Sequence, residues 1–565
     1  MSHPHHIHRH LNRIVLTVTV ALAFCAAPAQ AYLALLRQGV ESAEVPNSGD
    51  LFGYTLATGD FDGDGYDDLA VAAPWEANGL INAAAHGLVT VNWGTVYGLG
   101  HQNAATLSPG EPLDDSVKFG YALAVGDFNG DGFDDLAVGL PDNDNGAVVD
   151  AGGVWIYDGF SGGIQLAPSL MLSESNTGGI AETDDNFGFT LATGDFNGDG
   201  YDDLAIGTIG EDNGTGDVTV VRSGGAAGLS PATSTTFHPG VLGGSLGSPG
   251  GWFGKALATG DLDQDGFDDL VVGAPKTTVG AVGSSGRVYV LYGGGGGISA
   301  TGTWKWDTSN DPGWLQNTAL ELGWSLAIGD FSDLDGNAPL QFIAGAPGYE
   351  SGGQNDTGAF VLFSHDDASR ALGNTRMVYN QPANQSNDQV LTNDRFGETL
   401  ATGDFDGDGF ADLAVGAVSN NITEQAALGA QLDAGSAYLY TRDGAVLTLD
   451  THITHVTLND HVFGGDNLGR GLAFGRFEGG GRAALAVGAP YGDDFSYEGD
   501  PTVSNTGRVY IHAPWRQPRN RPHRYRRAPD RSLHHPGGSG RSGETPAEGR
   551  AAAARIGILS RPDRT

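Results

Sequence analysis

One segment returns seven times along the 565 residues, at Phe52, Phe119, Phe187, Phe253, Leu322, Phe396 and Leu468, so that successive copies start 66 to 74 residues apart. The first copy reads FGYTLATGDFDGDGYDDLAVAAP from Phe52 to Pro74. A period of this kind restricts the chain to repeat architectures, in which each unit leaves a hydrophobic face that only a neighbour covers. Within the copy, Leu56-Ala57-Thr58-Gly59 is a short apolar run, Asp60 to Asp68 is acidic and glycine-bearing, and Leu69 to Pro74 is apolar again. Two short runs flanking turn residues predict a β-hairpin rather than a helix. A third run follows, as in Gly153-Val154-Trp155-Ile156-Tyr157 and Gly286 to Tyr292, and the stretch around Ala104 to Leu107 leaves room for a fourth. Four strands per period make a propeller blade, so the expectation is an all-β, seven-bladed β-propeller.

Five copies carry the ladder Asp-x-Asp/Asn-x-Asp-Gly-x-x-Asp. In the first, Asp60, Asp62, Asp64 and Asp68 stand at positions 1, 3, 5 and 9, with the Tyr66 carbonyl at position 7 and Gly65 at position 6 for the sharp turn. The same set recurs as Asp127, Asn129, Asp131, Phe133 and Asp135, and as Asp195, Asn197, Asp199, Tyr201 and Asp203. It returns as Asp261, Asp263, Asp265, Phe267 and Asp269, and as Asp404, Asp406, Asp408, Phe410 and Asp412. All donors are hard oxygens, which selects Ca2+ over zinc or copper. An EF-hand opens alike but needs a bidentate Glu at position 12, where this chain has Val71, Val138, Ile206, Val272 and Val415. β-Branched residues there place the metal in a hairpin loop. About five calcium sites are therefore expected. The fifth copy departs from the spacing, with Asp330, Asp333 and Asp335. The seventh has Arg476 at position 1 and Gly480 at position 5, and the guanidinium is expected to occupy the place of the cation. In the acid pairs Asp67-Asp68, Asp134-Asp135, Asp202-Asp203 and Asp268-Asp269, the second acid is expected to bind calcium and the first to be solvated.

The Phe-Gly start and the Gly-Ala-Pro end (Gly273-Ala274-Pro275 in the fourth copy), with the acidic loop between them, resemble the FG-GAP repeats of the integrin α-subunit propeller. Such repeats also occur in secreted bacterial proteins and beside a phospholipase domain in some animal enzymes. The resemblance covers about Tyr32 to Trp515. It implies calcium on one face of a seven-bladed propeller and partner-binding loops on the other, without implying a ligand. After Gly507 to His512 no fourth strand remains for blade seven, whereas Leu33 to Gly39 stands before the first copy as Ala104 to Gly110 stands before the second. The N-terminal run is thus expected to supply the missing outer strand.

Residues 1–31 read as an export signal: Arg9 and Arg13 precede an apolar run from Ile14 to Ala27, and Ala29-Gln30-Ala31 fits a cleavage site. Removing it also removes Cys25, the one cysteine, leaving residues 32–515 as a propeller without disulfides. The expected location is secreted or at the cell surface, with no membrane span. The net charge of −39 excludes a generic nucleic-acid binder. Residues 516–565 reverse the balance, being rich in Arg, Pro, Gly and His, and read as a disordered tail or as the product of a shifted reading frame.

No catalytic constellation emerges. Gly243 to Gly247 matches a nucleophile-elbow string but lacks the strand and helix that motif requires. Trp75, Trp304, Trp306 and Trp314 are candidates for ligand contact, although the spacing of Trp304 and Trp306 equally suits packing on one face of an outer strand. The function expected is an extracellular ligand-binding or adhesion module with a protein or glycan partner. The alternative is an accessory or catalytic propeller of a hydrolase or lyase that degrades extracellular polymers.

Overall fold

The structure is a computed structural model that describes residues 32–37, 49–76, 86–100, 104–109, 117–243, 249–310, 319–331, 340–350, 354–365, 372–382, 393–420, 434–443, 446–455, 457–458, 465–479, 482–492 and 506–514. The expected export signal, the tail from Arg516, the string Gly244 to Gly247 and Trp314 lie outside these residues. Seven four-stranded antiparallel sheets form the seven blades of a β-propeller. Blade one passes outward from Thr55–Gly59 through Asp68–Ala73 and Leu88–Asn92 to Ala105–Leu107. The inner strands of blades two to seven are Leu123–Gly126, Phe187–Gly194, Ala256–Gly260, Leu326–Gly329, Thr399–Gly403 and Leu472–Gly475. Among the described residues no helix is long and apolar enough to cross a membrane.

The apolar run that follows each acidic loop is the second strand of its blade, and every residue of it is buried in all seven blades. A run without alternation fits a strand covered on both faces. The cover comes from neighbouring blades: seven apolar clusters each join residues of two adjacent blades. Between blades one and two, for example, Val89 and Val91 meet Leu136, Val138 and Trp155.

The residue that opens each repeat, Phe in five copies and Leu in two, is a docking residue. Phe119 forms a parallel bridge with Gly87 of the preceding blade, Phe187 with Gly152, and Phe52 with Gly507. Phe52, Phe119, Phe187, Phe253 and Phe396 are at most 1% exposed. A Cβ on Gly87 would stand 2.4 Å from the Phe119 carbonyl oxygen, and Gly87 has φ +89°, so this junction admits only glycine. The threonines of the inner strands lace the ring together. Thr58 donates to the Phe474 carbonyl at 2.8 Å, Thr193 to Val125 at 2.7 Å and Thr402 to Ile328 at 2.9 Å, each one blade back. Near the other end of its strand, Thr55 donates forward to Tyr121 at 2.8 Å. These hydroxyls serve carbonyls that the inner edge of a sheet otherwise leaves unpaired.

Ring closure follows the expected route. Tyr32–Arg37 is the outer strand of blade seven and pairs antiparallel with Arg508–Ala513, Tyr32 opposite Ala513 and Arg37 opposite Arg508. Deleting residues 32–39 opens the edge of a strand whose Val509, Tyr510 and Ile511 are buried. The expected outcome is aggregation in light-scattering chromatography and faster limited proteolysis. A truncated chain that melts and digests like the full one would show that this strand does not hold the ring.

Candidate metal loops and axial pocket

At the end of the inner strand of blade one the chain turns through the acidic ladder. Asp60 Oδ1 accepts the Asp64 amide at 3.0 Å and its Oδ2 accepts the Gly65 amide at 2.9 Å. Asp62 Oδ1 accepts the Asp64 amide at 3.1 Å, and Asp64 Oδ1 accepts the Tyr66 amide at 2.9 Å. Asp68 is fully buried, and its two oxygens accept the amides of Phe61 at 3.0 Å and Gly94 at 2.7 Å. The pattern repeats: the position-6 amide reaches Asp127 at 3.0 Å, Asp195 at 2.8 Å, Asp261 at 3.0 Å and Asp404 at 3.1 Å. The position-5 acids Asp131, Asp199 and Asp408 likewise accept the amides of Phe133, Tyr201 and Phe410 at 3.1, 3.1 and 3.0 Å.

Carboxylate oxygens of Asp60, Asp62 and Asp68 lie within 4.8 Å of one another, as do those of Asp261, Asp263 and Asp265, and those of Asp404, Asp406 and Asp412. In blades two and three the third position is Asn129 and Asn197, whose amides turn to Asp135 at 3.3 Å and Asp203 at 3.4 Å. Burial pushes Asp68 up to about 8 against the pull of its Gly94 hydrogen bond, Asp135, Asp203 and Asp269 up to about 7, and Asp412 up to about 6. A convergent, all-oxygen, partly desolvated donor set fits a hard divalent cation of the calcium type.

The position-7 residues do more than carry a carbonyl. A Cβ on Gly63 would stand 2.6 Å from the Phe133 ring, on Gly130 2.3 Å from Tyr201 and on Gly198 2.7 Å from Phe267. Each ring therefore covers the loop of the preceding blade, and glycine at position 4 makes room for it. Phe410 instead stacks under the Arg442 guanidinium at 3.4 Å.

Two expectations are overturned. The first acid of each pair is not simply solvated: Asp134 Oδ2 accepts the Asp60 amide at 2.8 Å, Asp202 that of Asp127 at 2.9 Å, Asp268 that of Asp195 at 3.0 Å and Asp67 that of Arg476 at 2.7 Å. The position-8 amide in turn donates to the position-1 carbonyl, Asp134 to Asp60 at 3.2 Å and Asp268 to Asp195 at 3.1 Å. The pair forms a reciprocal latch between blades, because position 1 has left its own ladder and its amide needs an acceptor. Ala411 and Ala483 keep the backbone half, at 3.1 Å to Asp330 and 3.0 Å to Asp404. Arg476, for its part, does not fill its own loop. Its side chain is 64% exposed and its Nη2 lies 3.5 Å from Asp67 of blade one. In the fifth repeat Asp333 and Asp335 lie outside the described residues, and position 9 is Gln341, whose Oε1 accepts the Phe331 amide at 2.8 Å.

At their other ends the inner strands converge on an axial pocket of about 270 Å³. Its ring is the third residue of every repeat: Tyr54, Tyr121, Phe189, Lys255, Trp324, Glu398 and Arg470. Lys255 Nζ lies 5.2 Å from the Phe189 ring centroid and 4.9 Å from that of Trp324, with no hydrogen bond or ion pair among the described residues. Desolvation lowers its pKa to about 8. Arg470 donates to the Tyr54 hydroxyl at 2.6 Å and to Glu398 at 3.3 Å. Arg395 reaches Glu398 at 2.7 Å and Glu321 at 3.1 Å, and Lys276 pairs with Glu321. Lys255, Lys276, Arg395 and Arg470 thus face two carboxylates, Glu321 and Glu398.

The sequence reading missed this ring. Its signal is a position beside a recurrent Phe-Gly pair whose own chemistry changes from copy to copy, which packing does not demand. Of the tryptophans singled out, Trp75 packs edge-on against Tyr54 of this ring, with centroids 4.9 Å apart. Trp306 is 1% exposed and Trp304 packs on Phe342 and Phe363 at 6.1 Å, so these two belong to the core.

Five segments match the FG-GAP repeat family: residues 52–85, 119–157, 187–221, 253–291 and 396–440. The chain is similar to integrin alpha-PS2 of Drosophila melanogaster, 29% identical over 47% of this chain and 18% of that protein. It is similar to integrin alpha-V of Gallus gallus, 30% identical over 45% of this chain and 22% of that one. Phosphatidylinositol-glycan-specific phospholipase D of Mus musculus is 32% identical over 31% of this chain and 20% of its own length. The chain thus spans about a fifth of the length of these relatives.

The raised carboxyls give a pH test. Without an ion, Asp68 and its counterparts hold a proton more tightly folded than unfolded, where the pKa is about 3.9. That stabilisation is complete below about pH 4 and is lost as pH rises through the folded values of about 6 to 8. In chelator the melting temperature is therefore expected to fall between about pH 5 and about pH 8, while in millimolar calcium it stays level because the ion takes the proton's place. Superimposable melting curves in chelator and in calcium at neutral pH would remove the metal from these loops.

Proposed function

The chain belongs to the FG-GAP, integrin α-like β-propeller family, and from that premise we propose that it is an exported, calcium-stabilised binding or adhesion module whose ligand enters the axial pocket. Residues 32–515 are the working unit of this reading, and the acidic loops of blades one, two, three, four and six are its calcium sites. Asp60, Asp62, Asp64 and Asp68 hold the ion in blade one, and their counterparts do so in the other four. Calcium neutralises carboxylates that otherwise repel: two unit charges about 4 Å apart cost on the order of 4 kcal/mol at an effective dielectric near 20. Extracellular calcium modules work at roughly 0.1–1 mM, which matches an exported chain.

The observation that carries the binding role is the ring at the third repeat position. Every blade donates one residue to it, four of the seven are aromatic, and its cations outnumber its carboxylates although the chain as a whole carries −39. Aromatic faces with an unpaired ammonium suit a ligand that presents an acidic group on a flat apolar or sugar-ring body. The integrin α relatives support adhesion at the level of the family.

A glycan and extracellular-matrix array, probed with the full chain in calcium, tests this directly. Binding to acidic ligands is expected, and Lys255→Met should weaken it at least tenfold with an unchanged melting temperature. A Lys255→Met chain that binds the array as strongly as the parent would take the ligand out of the pocket.

A further inference from the structure

A second group of carboxylates meets outside the acidic loops, where the connection from blade two to blade three lies against a turn of blade three. Glu174 opens the short helix Glu174–Thr177 after the outer strand of blade two, and Asp185 comes two residues before Phe187. Glu211 lies in the turn after Asp203–Thr208, and Asp217 opens the next strand, Asp217–Val221. In a blade the second-to-third turn and the inter-blade connection share one end, opposite the first-to-second hairpin that carries the ladder. None of these four residues belongs to a ladder.

One oxygen each from Glu174, Asp185 and Glu211 lies within 4.8 Å of the others. The place is largely buried: Glu174 is 5% exposed and Asp185 1%, and Glu211 is half-buried. Glu174 Oε2 and Glu211 Oε2 are buried with no hydrogen-bond partner. Asp217 is not among the clustered three, yet after burial itself its charge is the largest influence on Glu211. The other charges acting on the group, from Asp212 and Glu182, are negative too, and among the described residues no Lys or Arg pairs with any of the four.

Buried carboxylates without a partner are rare, and each calls for an ion or a water. The Glu182 amide serves Asp185 Oδ2 and a proton shared between Glu174 and Asp185 serves one oxygen more, which leaves Glu174 Oε2 and Glu211 Oε2 as acceptors with no donor. A cation among the three serves both. We propose that Glu174, Asp185 and Glu211 bind one hard divalent cation, calcium by the all-carboxylate donor set, which clasps the connection between blades two and three onto blade three. The site stands apart from the five ladder loops and from the reading of the axial pocket.

The test uses the full chain, equilibrium-dialysed against calcium with bound metal counted by elemental analysis, beside hydrogen exchange read over residues 173–186 and 209–217. The double variant Glu174→Gln/Glu211→Gln should bind one ion fewer per chain than the parent. In the parent, calcium should slow exchange in both segments. A chain with Asp62→Asn and Asp64→Ala, which loses the ion of blade one, should keep that slowing. Should the ladder loops themselves bind nothing, the parent would still hold one ion that the double variant lacks, so the two readings fail separately. Equal ion counts in parent and double variant overturn the proposal. So does an absence of calcium-dependent slowing in the parent, an outcome that needs no variant to fold.

Discussion

Each blade is apolar on both faces, and only another blade covers them. Burying one Val, Leu, Ile or Phe side chain stabilises by about 1.5–3 kcal/mol, and every second strand is buried throughout. A lone blade forfeits both covers, so the ring has to close. The smaller contacts set how neighbours meet once burial has driven them together. The opening Phe seats against the glycine of the blade before it, threonine hydroxyls lace the inner strands, and the position-8 amide with its carboxylate latches onto position 1. Because Tyr32–Arg37 completes blade seven, the last of these junctions depends on the first residues of the propeller.

The acidic loops therefore serve two ends with the same atoms. Asp68 holds the amides of Phe61 and Gly94, and Asp134 holds blade two to blade one. Gln341 separates the two roles, since its neutral amide oxygen keeps the hydrogen bond to Phe331 without offering a carboxylate. Ala411 and Ala483 do the same for the latch, keeping the backbone bond and dropping the side-chain one. Blades five and seven can thus depart from the ladder and remain blades. The architecture asks for the hydrogen bonds, whereas the further carboxylates are what the proposed cation would use.

The blade count, the hairpin loops and the closing strand were legible because each rests on a local pattern: a period, a spacing of acids, an apolar run displaced to the N-terminus. What the sequence hid was everything that passes between blades. Asp134 looks like a surplus acid until Asp60 is seen beside it, 74 residues away. Arg476 looks like an intruder in its own loop, yet its partner is Asp67, at the far end of the chain. The axial ring was hidden for the same reason, since residues one period apart touch only once the ring has closed. Glu174 and Glu211 share no motif at all, and only the docking of a connection on a turn brings them together.

That geometry also decides how the two ends of a blade communicate. The acidic loop and the axial ring stand at opposite ends of an inner strand such as Thr55–Gly59, whose five residues span about 17 Å at roughly 3.3 Å each. The loops open to solvent, where the Debye length is about 8 Å at physiological salt, so a bound ion adds little field at the pocket. Any influence of such an ion would travel as rigidity, through an inner strand held at one end by its loop and presenting Tyr54 or Lys255 at the other. The carboxylates around Glu174 are placed differently. They lie at the pocket end of their blades, between the connection that leads into Phe187 and the turn beside it. Two residues beyond Phe187 stands Phe189, whose ring faces the Lys255 ammonium. An ion there would fix the segment that delivers one wall of the pocket.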